Sequence, residues 1–430
     1  MKLNRMIKGL LLTTCLGASL LLAGCGGSAT STPSQQQNKE ITVMIPDWGA
    51  PPPELLEEFK KESGITVHVQ TTSWDDTKSK VSVASAAKKA PADVIEVDWS
   101  WAGEFSSAGW LEPQHPDEAT VQDVPTYSYF KYKDGYCATP YINGVRLAYY
   151  NHAMAQKAGV TTAPQTTAEL DAALKAMKDQ GIVQYPYLFP MDAEEKVTTS
   201  FVSLAFSRNG KVFNDDGTLN RESTLDTLTL LKRYLDEGLI DPNTVTKPGL
   251  DTFRGIYTGE GAFLLGPTSF ATSTNDPKVS KVVGQVTPIP MPTEKGPAPQ
   301  TVAFVEALGI SAYSQNKEAA QKFIDWYTSK ETQLKMNSNI AQSINIAPTR
   351  ISTIAEMAKG NDANAANAKV TMEQLKLVKN PFPLGVPKYY TKMSAEIYNI
   401  ISEMGKGQLT AQEATDKMLE KVDAIVKANQ

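Results

Sequence analysis

ITVMIPDWGAPPPELLEEFKKESGITVHVQTTSWDD, residues 41–76, settles the fold class. Ile41–Ile45 reads as a short strand. Glu54–Glu62 reads as a helix that places Leu55, Leu56 and Phe59 on one face, and Ile65–Val69 reads as a second strand. The cycle repeats with a helix over Asp76–Lys89 and a strand over Val94–Val97. Strands alternating with amphipathic helices predict an α/β layer on a largely parallel sheet. Further stripes recur at Ala319, Phe323, Trp326 and Tyr327, and in the last helix at Ala414, Met418, Val422 and Ile425; these are core positions. Open α/β sheets bind ligands beyond the carboxyl ends of their strands, so the informative residues follow each strand. Asp47 and Trp48 follow the first, Trp74 and Asp75 the second, and Asp98, Trp99 and Trp101 the third; these loops hold four of the six tryptophans. An indole face suits the C–H surface of a sugar ring while carboxylates accept from its hydroxyls. The same faces attract ammonium groups.

The N-terminus gives an address. Lys2, Arg5 and Lys8 precede an apolar run, Gly9–Leu22, in the manner of a secretory signal. That run is short of the roughly twenty residues of a spanning helix. Leu22-Ala23-Gly24-Cys25 follows at once and resembles the lipobox of bacterial lipoproteins. The resemblance implies removal of residues 1–24 and acylation of Cys25, with a small, polar, flexible spacer to residue 38. More than one acyl chain, each methylene worth about 0.8 kcal/mol, then tethers the protein to the outer face of the cytoplasmic membrane.

Some 390 residues remain, which predicts two domains. Loss of the three N-terminal cations moves the formal charge from −5 to −8, and no basic cluster follows; nucleic acid is not an expected partner. Cys15 leaves with the signal and Cys25 is the lipid site, so Cys137 has no disulfide partner.

Ordered segments along the chain carry a wider resemblance. They begin with Glu58-Phe59-Lys60-Lys61-Glu62-Ser63-Gly64-Ile65 and Ala92-Asp93-Val94-Ile95-Glu96-Val97-Asp98. They continue through Asp134-Gly135-Tyr136, Thr139-Pro140-Tyr141 and Leu147-Ala148-Tyr149-Tyr150-Asn151. Gly238-Leu239-Ile240-Asp241-Pro242, Gly259-Glu260-Gly261-Ala262-Phe263 and Leu308-Gly309-Ile310-Ser311 follow. In this order and spacing the chain resembles the bacterial extracellular solute-binding proteins of the sugar-transport type, which include maltose-binding protein. Three positions depart from the family pattern. Thr167 stands at a usual tryptophan. Thr268 and Ser269 follow Gly266-Pro267 where maltose binders carry an aromatic, leaving Phe270 as the nearest ring. Phe382-Pro383 replaces an Arg-Pro pair.

The resemblance implies an α/β, two-lobed periplasmic-binding-protein-like fold of type II, with discontinuous lobes joined by hinge crossings. The first lobe is expected over residues 39–147 plus 302–347 and the second over 148–301 plus 348–430. It implies a monomeric substrate-binding lipoprotein of an ABC importer, without cofactor, that captures a small solute, an oligosaccharide by preference, between the lobes. The closed form would be recognised by the transmembrane permease subunits. Expected ligand contacts are Asp47, Trp48, Trp74, Asp98, Trp99 and Trp101 from the first lobe, with Asn143 and Arg146 at the crossing. Asp192, Glu194, Phe270 and Tyr390 are expected from the second.

The competing readings are a polyamine or polyol receptor and a surface glycan-acting enzyme with carboxylates about 5 to 9 Å apart. His68, His115 and His152 are too far apart for a local zinc motif, and no Walker glycine loop or nucleophile elbow occurs. Asn214-Asp215-Asp216-Gly217 lacks acidic ligands at the calcium-loop ends and reads as a turn.

Overall fold

A computed structural model describes residues 39–338 and 347–429. The signal segment, Cys25 and the spacer lie outside the described residues. Among those described, no helix is long and apolar enough to cross a membrane.

The first sheet orders its strands Ile65–Thr71, Lys39–Ile45, Val94–Asp98, Glu306–Ser311 and Leu111–Glu112, with Thr139–Ile142 also paired to Glu306–Ser311. The first three run parallel, and Glu306–Ser311 enters antiparallel. Side chains alternate across the sheet, so both faces must be covered. Ile41, Val43, Ile45 and Val94 pack under the helices Pro53–Ser63 and Lys317–Tyr327, against Phe59, Phe323 and Tyr327. Met44, Ile95 and Val97 face the opposite core, with Val81 and Phe105.

The second sheet runs Val286–Ile289, Arg146–Asn151, Phe263–Pro267, Tyr187–Leu188. Its inner strand Arg146–Asn151 is antiparallel to both neighbours, while Phe263–Pro267 runs parallel to Tyr187–Leu188, so the parallel pattern of the first 100 residues gives way here to a mixed sheet. The helix Glu195–Asn209 is buried at every position from 197 to 207, as befits a helix enclosed by others. Neighbouring it are the helices Arg221–Asp236 and Tyr390–Gly405, the latter packed in turn against Ala411–Lys427. In the last helix the buried stripe is Ala414, Met418, Val422 and Val426; Ile425, expected on it, is half-buried. Steps of four residues hold the stripe on one face, and the third step from Ala414 lands on 426.

The helix after the second strand starts earlier than the sequence suggested. Ser73 accepts from the Asp76 amide at 3.2 Å as N-cap, which puts Trp74 in the first turn of Trp74–Ala86 instead of in a loop.

The sheets are joined where residues 143–145 run beside 302–304. Arg146 N donates to Val302 O and Phe304 N to Gly144 O, both at 3.0 Å, and Asn143 N donates to Ala347 O at 3.1 Å. A Cβ on Gly144 would fall 1.5 Å from Phe304 O, so only glycine permits this approach. Gly144→Ala should force the segments apart and cost about 1–3 kcal/mol in urea denaturation; an unchanged midpoint would show that the backbone yields freely here.

Candidate functional site

Asp98 ends its strand and Glu306 lies directly opposite in the antiparallel register, so two acids share one strand-end position. Asp98 is 4 % exposed and accepts from Ser100 N at 2.7 Å, from Ser100 Oγ and from Trp74 Nε1 at 3.1 Å. Burial pushes its carboxyl up, against the donors of Ser100 and Trp74. Glu306 is driven well above the carboxylate range by burial and by the charges of Asp98 and Glu96. Glu96, two residues back along the strand, has both oxygens buried without a hydrogen-bond partner. Burial raises it to about 8.

Trp99, beside Asp98, meets rings from three other segments: Phe304 at 4.7 Å, Phe382 at 5.6 Å and Tyr390 at 4.6 Å. Phe304 belongs to the crossing, while Tyr390 opens the helix Tyr390–Gly405 of the other half. The Tyr390 hydroxyl donates to Glu195 Oε1 and Ser394 Oγ to Glu195 Oε2, both at 2.5 Å. Burial raises Glu195 to about 7 despite those two donors, with the Asp98 charge adding to the rise. Lys78 spans the same junction, giving a hydrogen bond to Thr391 Oγ1 at 2.7 Å and an ion pair to Glu104 at 3.0 Å.

Arg146 is the cation of this neighbourhood. It is 8 % exposed, with its guanidinium 4.9 Å from the Phe304 ring centroid, and among the described residues no carboxylate oxygen comes within ion-pair distance. Burial lowers its pKa to about 10, against the favourable charges of Tyr149, Glu306, Tyr390 and Asp98.

The other expected contacts fall elsewhere. Trp101 is fully buried on Trp74 and Phe105, its Nε1 without a partner, because the turn after Asp98 leads at once into the helix Ala102–Ser107. It is a core residue. Asn143 is also fully buried: Nδ2 donates to Pro348 O at 2.8 Å, and Oδ1 accepts from Val145 N at 3.0 Å and Thr268 Oγ1 at 3.1 Å. It ties the crossing segments together. Phe270 is buried and packs edge-on against Phe253 and Tyr257, opening the short helix Phe270–Ser273 after Pro267. Asp47 and Trp48 form an exposed 3-10 turn, Trp48 being 43 % exposed. Asp192 precedes Glu195–Asn209; its Oδ1 is buried without a partner, and burial, then the Glu194 charge, pushes it up to about 6. Glu194 accepts from Gly249 N at 2.8 Å and lies 3.5 Å from Lys196.

Sequence reasoning missed Glu195, Ser394, Phe304 and the Glu96–Glu306 pair. For the pair a signal existed: Val94-Ile95-Glu96-Val97 and Val305-Glu306-Ala307-Leu308 each seat an acid within an apolar strand. Beside the crossing, a small cavity of about 40 Å³ is lined by Thr268, Ser269, Pro348, Asn364 and Asn367.

The family model described as bacterial extracellular solute-binding protein matches residues 45–334. A maltooligosaccharide ABC transporter solute-binding lipoprotein of Streptococcus pneumoniae is 23% identical over 97% of this chain and 96% of its own length. Among solved structures, an ABC transporter solute-binding protein of Thermotoga lettingae bound with α-D-tagatose aligns at TM-score 0.75 and 24% identity, over 90% of this chain and all of its own. One of Agrobacterium radiobacter in complex with ribitol aligns at TM-score 0.76 and 21% identity, over 90% of this chain and 98% of its own. These likenesses give the fold, a two-lobed binding protein of mixed α/β structure.

Proposed function

This chain belongs to the bacterial extracellular solute-binding protein family and is the substrate-binding component of an ABC importer; from that premise we propose that its solute is rich in hydroxyls, an oligosaccharide first of all. The observation that carries this reading is the meeting of indole and phenol rings with buried carboxylates where the two halves join. Trp99 and Tyr390 touch there, with Asp98 beside one and Glu195 bonded to the other. Rings take the apolar faces of a sugar, and carboxylates, with Arg146, take its hydroxyls. Asp98, Trp74, Trp99, Arg146 and Tyr390 form the proposed contact set, with Glu195 added; Asp192 and Glu194 lie toward its edge, and Asp47 and Trp48 at the rim.

A linear polyol is the second reading, favoured by the fold shared with a ribitol-bound protein. The proposal extends to the lobe limits given above, to a monomer tethered through Cys25 after loss of residues 1–24, and to delivery of the solute to permease subunits.

Tryptophan fluorescence and melting temperature against oligosaccharides, polyols and polyamines test it. A saturable shift is expected with one hydroxylated class, a solute at a hundred times its Kd adding about 2.7 kcal/mol to stability. Shifts confined to polyamines would move the solute to the cationic class, and a new product by mass spectrometry would sink the receptor reading.

A further inference from the structure

The carboxylates at the junction approach from both halves, and among the described residues no cation forms an ion pair with Asp98, Glu306 or Glu195. Asp98 and Glu306 come from the first sheet, paired across adjacent strands. Glu195 comes from the helix Glu195–Asn209 and reaches the same place through Tyr390, whose ring lies on Trp99. We propose that closing the two lobes is linked to proton uptake: Asp98, with Glu306 paired beside it, and Glu195 meet at the junction and cannot all stay ionised when it shuts. This inference rests on the two-lobed reading and not on the solute's identity.

The groups around the site support it. Facing Glu195 are Tyr390 and Ser394 from one helix, Lys196 on its own helix, and the charge of Asp98 across the junction. Facing Glu306 are Asp98 and Glu96 on the neighbouring strand. Arg146 lies near Glu306 and Asp98 but pairs with neither. One unpaired guanidinium cannot neutralise this set, and ionised carboxylates taken out of water without a partner are costly. Protonation removes that cost. Parting the halves returns water to Asp98 and Glu195 and separates them, so the open form binds protons less tightly.

The direction follows from Glu195. Opened to water it ionises near the ordinary carboxylate value of 4.5, and enclosed it holds its proton to about 7. Closure is therefore most favoured below about 4.5, and the closed-to-open ratio falls as pH rises, by up to about tenfold per unit, until it levels above about 7. The second-half carboxylate thus titrates within the range a cell surface meets.

Small-angle scattering of the purified, solute-free protein between about pH 5 and 8.5 is the experiment. The radius of gyration should grow with pH in the wild type. Glu195→Gln should stay compact to a higher pH, since a neutral amide stands in for the protonated acid. Should that variant not fold, Asp98→Asn is expected to give the same reading. A wild-type radius constant across the range, or a variant that expands with pH as the wild type does, overturns the proposal. No solute is added, so neither result bears on which solute the protein carries.

Discussion

Trp99→Ala should lower the unfolding free energy by about 3–5 kcal/mol, read from urea denaturation with an unchanged m-value. The side chain is 2 % exposed and lies within 6 Å, centroid to centroid, of Phe304, Phe382 and Tyr390. Those rings come from the crossing, from the segment before Tyr390–Gly405 and from that helix itself, so truncation opens a void that no single element can collapse into. A buried aromatic carries 150–250 Å² of contact in general, and each well-placed ring pair adds about 0.5–1.5 kcal/mol. Trp99→Phe keeps a ring and should lose less than half as much. Trp48→Ala is the control: at 43 % exposure in a surface turn it should cost under about 1 kcal/mol. Equal losses at the two tryptophans would mean that Trp99 does not join the halves. A Trp99→Ala protein that still folds should also lose the fluorescence response to its solute.

The first sheet was legible because its strands are short, β-branched and separated by helices with clear stripes; the boundaries of Ile65–Thr71 and Val94–Asp98 moved by one or two residues at most. The second sheet was less so. Arg146–Asn151 pairs with residues more than 110 positions away, and no local pattern encodes that it runs antiparallel to both. The strand-end rule drew attention to Asp98, Trp99 and Trp74, which the fold brings together, but could not tell their neighbours apart. Trp99 and Trp101 are two residues apart, yet one meets the other half and the other sinks beneath Trp74. That outcome depends on where the helix Ala102–Ser107 begins. Asn143 looked like a contact because it is polar beside a crossing, but a buried amide must satisfy its own hydrogen bonds, and Pro348, Val145 and Thr268 claim them. Glu195 was passed over for Asp192 and Glu194 because sequence alone does not show that Tyr390 and Ser394, about 200 residues later, supply its donors.

Glu96 gives the second large effect. It is fully buried, and Glu306, Tyr141 and Asp98 surround it without a cation. Unfolded, it ionises near 4.5; folded, it keeps its proton to about 8. Across that interval unfolding releases a proton. Stability is therefore fully present below about 4.5 and falls as pH rises, by about 1.4 kcal/mol per unit for one proton, levelling above about 8. Because Glu306 titrates with it, the protons belong to the pair and the fall can be steeper. Glu96→Gln presents the shape of the protonated acid at every pH, so it should match the wild type near pH 5. At pH 8.5 it should exceed the wild type by on the order of 3–5 kcal/mol. Urea denaturation at four or five pH values decides the matter: curves that run parallel for the two proteins would mean that Glu96 is ionised in the folded state, its charge met by a group other than those named. Glu96 is fully buried within the first sheet, with Glu306 and Tyr141 beside it. Glu195, which burial also raises, adds to the pH dependence of denaturation, so the comparison with Glu96→Gln, and not denaturation of the wild type alone, assigns the Glu96 proton, while scattering of Glu195→Gln assigns the other.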